Sequence, residues 1–265
     1  MKKIINLLLF LIVVSISLFL PATNFKIYVK IPLTLISWAI GAYLFFKYFN
    51  LFVPTFFFLI NTIFSPLSLF LIKKFSINIP QIYFLLSILV YLIIVLIVPN
   101  FKKNVTWIKW GKFDKTTIIL ICVMTVLTGF SLFIWAFFIK KDLSDFQRFI
   151  PNAPLFLLIL YGIAFPIFNS LFEEFIARAV MFDGFFNIFK NVITVIIFQA
   201  LVFSLWHYNG FPGGIIGVIL VFIWSIFLGT IRHRANGMLP PIIAHFFADL
   251  SIAVIIFSMV VLPGK

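Results

Sequence analysis

Apolar residues run along this chain in blocks close to twenty residues long, broken by short polar punctuation at Lys, Asn, Pro and Gly. The blocks fall at about 4–22, 32–49, 51–72, 80–99, 116–139, 152–177, 191–208, 214–231 and 239–262. A helix of roughly 20 apolar residues matches the ~30 Å hydrocarbon core of a bilayer. In lipid the backbone must satisfy its own hydrogen bonds, which for runs of this length means helices. The pattern therefore predicts an all-α, polytopic transmembrane bundle of about eight or nine spans, with the pair at 32–72 partly re-entrant at the lower number. The first block follows Met1-Lys2-Lys3, exceeds the ~7–15 residues of a signal-peptide core and has no A-x-A-like site after it, so it is expected to be a retained span.

Composition turns this pattern into a class. The chain is 64% hydrophobic and 10% charged, with a mean hydropathy of +1.23, against roughly 45–50% apolar and about 25% charged residues in a soluble domain. The expected protein is integral to a membrane. Its net charge is +13, and five lysines (Lys102, Lys103, Lys109, Lys112 and Lys115) crowd the one long polar connection, NFKKNVTWIKWGKFDKT. The positive-inside rule places that connection in the cytoplasm, with Trp107 and Trp110 as interfacial anchors. Dispersed basic residues in short loops point to lipid headgroups as partners and away from nucleic acid. The single cysteine, Cys122, excludes an internal disulfide and a cysteine metal cluster. Residues 1–150 read as N-terminal transmembrane helices without a recognised motif, and residues 151–265 carry nearly all of the chemistry.

That chemistry lies in polar side chains placed where the pattern predicts lipid. An ionisable group inside a span costs about 2.5–3.5 kcal/mol even on a lenient scale, so each is a functional hypothesis with a partner to be named. The only two glutamates, Glu173 and Glu174, stand together in NSLFEEFIARAV. Glu174 and Arg178 are spaced i, i+4 with the acid first, the favourable order for a pair on one helix face. Glu173 lies about 100° round the helix with no local partner, which makes it a candidate base or acid. His245 and Asp249 are also i, i+4, an imidazole and a carboxylate on one face of the last span. Glu173 and His207 stand at similar distances on either side of the polar turn near Lys190, so an antiparallel hairpin brings them to one height. His245 is close to the turn at Asn236-Gly237 and meets them only if the last helix starts deep or tilts. His233, between Arg232 and Arg234, reads as part of a positive loop, and Phe203, one turn before His207, as packing.

These residues resemble a known family. EEFIAR fits EExxxR, FSLWH fits FxxxH and HFFAD fits Hxxx(N/D), in the order and rough spacing of the CPBP family, the CAAX-type and bacteriocin-processing (Abi) intramembrane endopeptidases. LGTIRHRANGMLPPIIAH is similar to the stretch before the last histidine of that family, and the resemblance covers about residues 152–250. It implies hydrolysis of a peptide bond in a membrane-associated protein or peptide. Glu173 is then the general base that activates water, assisted by His207. His245 and Asp249 bind or polarise the scissile carbonyl, while Glu174, Arg178 and Phe203 support the site. A metal-independent glutamate mechanism is favoured. The alternative is zinc held by His207, His245 and either Glu173 or Asp249, three ligands and a water, although no HExxH is present.

Family members in eukaryotes trim prenylated CAAX proteins, and bacterial members are linked to leader-peptide processing, pheromone maturation and bacteriocin self-immunity. A chain rich in Phe, Ile, Lys and Asn suits an AT-rich bacterial genome, hence a bacterial plasma membrane. Two other functions fit a polar cluster in a bundle: a catalytically silent scaffold or regulator, and a proton-coupled transporter, the latter weakened by the lack of an internal repeat.

Overall fold

The computed structural model describes residues 1–23, 25–75, 82–140 and 143–262. Helices occupy 86% of it, and no strand occurs among the described residues. Eight helices are long and apolar enough to cross a membrane, and Phe84–Ile97 is a shorter apolar helix, in line with the expected eight or nine spans. The first two positions of the expected span at 80–99 lie outside the described residues.

By packing, the chain forms two compact units, Met1–Thr106 with Ala179–Gln199, and Trp107–Arg178 with Ala200–Lys265. The boundary expected at residue 150 rests on motif content, a different criterion that packing does not test.

The first unit contains α1 (Lys2–Phe19), α2 (Ile27–Lys47), α3 (Phe49–Phe75), α4 (Ile82–Ile97), the short α5 (Pro99–Lys102) and α8 (Phe182–Phe189). Its centre is aromatic: Phe10 of α1 meets Phe58 of α3 and Phe185 of α8 edge to face, at ring separations of 6.0 and 5.2 Å. Gly184 allows this approach, because a Cβ there would stand 2.2 Å from the Phe10 ring. Polar groups join the helices as well. Asn61 Nδ2 donates to Ser17 Oγ at 3.1 Å and Ser87 Oγ donates to Asn61 Oδ1 at 2.8 Å, all three fully buried. Thr106 donates from its backbone N–H and its hydroxyl to the buried Asp183 carboxylate.

The second unit contains α6 (Lys115–Ile134), α7 (Leu155–Glu174), α10 (Gly214–Ala235) and α11 (Leu239–Ile256). The helix α9 (Val192–Trp206) contributes its first eight residues to the first unit and its remainder to the second. α7 was expected to end near 177, where Glu and Arg interrupt the hydropathy. Instead the helical path runs on through a π-helical stretch, Phe175–Met181, into α8 and stops only at Lys190, which takes the left-handed conformation at φ 57°. A helix needs paired backbone groups, not uninterrupted apolar side chains, and buried partners accommodate the polar ones.

The turn between α10 and α11 fixes the height of the last helix. Asn236 closes α10 in the left-handed region at φ 50°, a conformation that Asn tolerates. Pro240 and Pro241 open α11, where a missing N–H costs nothing. The strap Lys109–Lys112 lies along this turn: Met238 N–H donates to Lys109 O, Leu239 N–H to Trp110 O, and Lys112 N–H to Ala235 O, at 2.8–2.9 Å. Contact is backbone to backbone, so both faces are glycine. A Cβ on Gly237 would stand 2.1 Å from Gly111 N, and Gly111 itself adopts φ +99°.

Candidate active site

The second unit gathers the polar residues of four helices. Glu173 and Glu174 end α7, Arg178 sits in the π-helical stretch after it, His207 follows α9, and His245 and Asp249 face inward from α11. Asn169 of α7 joins them.

Arg178 is fully buried and multiply held. Its Nη1 lies 2.9 Å from Glu174 Oε1, the i, i+4 pair read from the sequence. Its Nη2 donates to Ser225 Oγ at 2.8 Å, and its guanidinium stacks over the rings of Phe203 and Trp224, at 4.6 and 5.7 Å from their centroids. A planar, weakly hydrated cation suits such a site. Arg232 Nε of α10 donates to the carbonyl of Arg178, in the π-helical stretch, at 3.2 Å. Arg232, which looked from sequence like part of a positive loop, is thus turned inward and buried, while its neighbours His233 and Arg234 are exposed.

The two histidines can be read atom by atom. His207 Nδ1 lies 2.8 Å from the Phe203 carbonyl, which only accepts, so Nδ1 carries hydrogen. Its Nε2 lies 3.2 Å from Glu173 Oε2, and a single proton on that line belongs either to the imidazole or to the carboxyl. The FxxxH spacing therefore acts through the Phe203 backbone as well as through its ring, whose centroid lies 4.3 Å from that of the imidazole at a tilt of 43°. His245 Nδ1 lies 2.7 Å from Glu174 Oε1, and with Glu174 ionised against Arg178 that nitrogen donates. His245 Nε2 faces Asp249 Oδ2 at 3.4 Å and Glu173 Oε2 at 3.7 Å, both longer than the ~2.9 Å of a well-formed bond. Trp224 meets the His245 ring edge to face at 4.6 Å.

The structure thus brings together every sequence-predicted site residue: Glu173, Glu174, Arg178, Phe203, His207, His245 and Asp249. It adds three that sequence reasoning missed. Asn169 Nδ2 donates to Asp249 Oδ2 at 3.0 Å; its signal was an amide one helical turn before Glu173. Trp224 and Ser225 carried no signal in an apolar run. Trp107, expected as an interfacial anchor, is instead buried and meets Phe175 edge to face at 5.1 Å, whereas Trp110 is 80% exposed.

Both histidines hold Nδ1 against an acceptor, Phe203 O and Glu174 Oε1, and turn Nε2 toward Glu173 Oε2, at 3.2 and 3.7 Å; among the described residues no group of three His, Cys, Asp or Glu side chains is placed to hold a metal ion. The geometry offers a partly open acid–base pair, Glu173 with His207, beside a buried network of Glu174, Arg178, His245, Asp249 and Asn169.

Residues 154–251 match the family model described as type II CAAX prenyl endopeptidase, Rce1-like. No curated protein and no solved structure matches the chain. The matched stretch is over a third of the chain and contains every residue of the cluster from Asn169 to Asp249. Together with the apolar helices, it supports an integral membrane protease at the level of family. The segment 154–251 of this membrane protein is thus Rce1-like, consistent with the CPBP family that its three motifs resemble.

Proposed function

We propose that the protein is an intramembrane endopeptidase that hydrolyses a peptide bond in a membrane-associated peptide or protein, without a metal, in a bacterial plasma membrane. One observation carries this reading: Glu173 keeps 15% of its side chain exposed and faces His207, while its neighbour Glu174 is fully buried against Arg178. Of two adjacent carboxylates, the one left partly open is also the one with an imidazole to share its proton.

In the proposed reaction the Glu173 carboxylate takes a proton from water, and the resulting hydroxide adds to the scissile carbonyl carbon. The carbonyl oxygen becomes an oxyanion. His245, carrying hydrogen on Nε2 as well as on the Nδ1 that donates to Glu174, supplies the hydrogen bond to it as an imidazolium from between two carboxylate oxygens. An ionised Asp249 has no hydrogen to donate; it acts by holding His245. Collapse of the intermediate breaks the C–N bond, and the proton held between Glu173 and His207 passes to the departing nitrogen. The products are a carboxylate and an amine. A hydrogen-bond donor placed on a developing oxyanion is worth about 3–4 kcal/mol.

The test compares membrane and secreted peptides from cells carrying the wild type or Glu173→Gln at equal abundance. A precursor that is shortened only in the wild type supports the protease and identifies its substrate, prenylated or not. Identical processing in both, with Glu173→Gln rescuing a null phenotype, replaces it with the silent scaffold.

A further inference from the structure

The membrane-spanning helices α6 and α11 begin at Lys115 and Leu239, and α10 ends at Ala235. The strap 108–115 and the turn 233–238 therefore stand together at one membrane face, tied by the backbone bonds at Lys109, Trp110 and Lys112. Apart from Asp114, His233 and Asn236, their exposed side chains are of two kinds. Lys109, Lys112, Lys115 and Arg234 are cationic. Ile108, Trp110 and Phe113 are apolar and 40%, 80% and 43% exposed. The one acid present, Asp114, is committed to α6: its carboxylate accepts the Thr117 backbone N–H at 2.7 Å, which holds it below the usual carboxylate range. It meets Arg234 only at 3.5 Å, in solvent.

We infer that this strap and turn form a binding surface for acidic phospholipid headgroups, and that a bound headgroup braces the start of α11, the helix that carries His245 and Asp249. An indole at headgroup level is an interfacial anchor, and lysines beside it attract anionic lipid. The surface has both, at the ends of three spans, with no more than one acid to offset four cations. The mechanical link is specific. The N–H groups of Met238 and Leu239 donate to the strap, so whatever fixes the strap fixes the first turn of α11. Glycines at 111 and 237 make the contact too close to slide. The inference stands independently of the protease reading.

The test uses the full chain in nanodiscs of phosphatidylcholine with or without phosphatidylglycerol, with retained lipid measured by native mass spectrometry. The wild type is expected to retain phosphatidylglycerol in preference. Each lysine removed should weaken retention about fivefold, and Lys109→Gln with Lys112→Gln about 25-fold, since a lysine near an acidic surface contributes about 1 kcal/mol. Exchange of the Met238 and Leu239 amides should slow in phosphatidylglycerol discs for the wild type and not for the double variant. Both lysines are exposed and the strap bonds are backbone bonds; Lys115→Gln with Arg234→Gln provides a second variant should the first fail to accumulate. Equal phosphatidylglycerol retention by wild type and variants overturns the inference, because the lipid is then only boundary lipid. Binding of a soluble polyglutamate peptide in phosphatidylcholine discs, lost in the variants and without preference for phosphatidylglycerol, overturns it in favour of an acidic protein partner.

Discussion

Glu173 and Glu174 are consecutive in the chain, yet they face opposite tasks: Glu174 bridges Arg178 and His245 with no exposure, and Glu173 faces His207 with its side chain partly open. Helix geometry alone separates them, since neighbours point about 100° apart. Their substitutions should therefore fail in different ways. Glu173→Gln is expected to fold normally and lose peptide processing by about 10²–10⁴-fold, the range of a general base. Glu174→Gln is expected to lose thermal stability, because it strands a buried guanidinium. Fluorescence-detected size exclusion after heating, run beside the processing assay, reads both; the opposite ranking exchanges the two roles.

Arg178 should be irreplaceable even by lysine. Arg178→Ala leaves the buried Glu174 with His245 but no guanidinium, and breaking a buried pair costs about 3–5 kcal/mol. Arg178→Lys keeps a charge beside Glu174 but loses the Nη2 bond to Ser225 and the guanidinium's contact with the Phe203 and Trp224 rings, so it should fall between wild type and Ala. Thermal stability of the three forms in one detergent checks the order.

Asn169 and Asp249 should behave as a coupled pair. If the amide holds the carboxylate toward His245, the exchange Asn169→Asp with Asp249→Asn should recover part of what each single substitution loses. The expected coupling is about 0.5–3 kcal/mol, the range for residues in contact. Strict additivity in the processing rate would show that Asn169 only fills space.

Metal removal should change nothing. Inductively coupled plasma mass spectrometry on the purified protein is expected to find well below one zinc per chain, with processing unaffected by a chelator. Stoichiometric zinc whose loss abolishes processing would place His207 and His245 as ligands.

Gly237→Ala should destabilise the protein although it alters no polar group. Its methyl would stand 2.1 Å from Gly111 N, and overpacking of this kind costs about 1–3 kcal/mol. Gly162→Ala, with nothing within 4 Å of the added carbon, is the neutral control.

Much of this was legible because a membrane restricts the choices. Span length gave the helices, and the i, i+4 spacings gave the Glu174–Arg178 and His245–Asp249 faces. What was hidden depends on contact across the sequence. The continuation of α7 to Phe189 could not be read from hydropathy, which breaks at the residues that pair internally. Arg232 and Arg234 are alike in sequence and opposite in the fold: the first is buried and donates to the Arg178 carbonyl, and the second is exposed and meets Asp114. His245 seemed too near a turn to reach the cluster; the strap that sets the height of α11 comes from more than a hundred residues earlier. Asn169 gave a weak sign, an amide at helical spacing from Glu173, with no indication of Asp249 as its partner.

The pairing of Glu174 with both Arg178 and His245 has an implication for biogenesis. His245 follows Glu174 by 71 residues, which at about 5–20 residues per second of synthesis is a delay on the order of 4–14 s. Until His207 is made, in the first half of that interval, the nascent segment must partition into lipid with two acids and no imidazole beside them. Arg178, four residues on, is the first neutralising group to arrive, so the same guanidinium that later anchors the finished cluster serves first as an insertion chaperone for the helix that bears it.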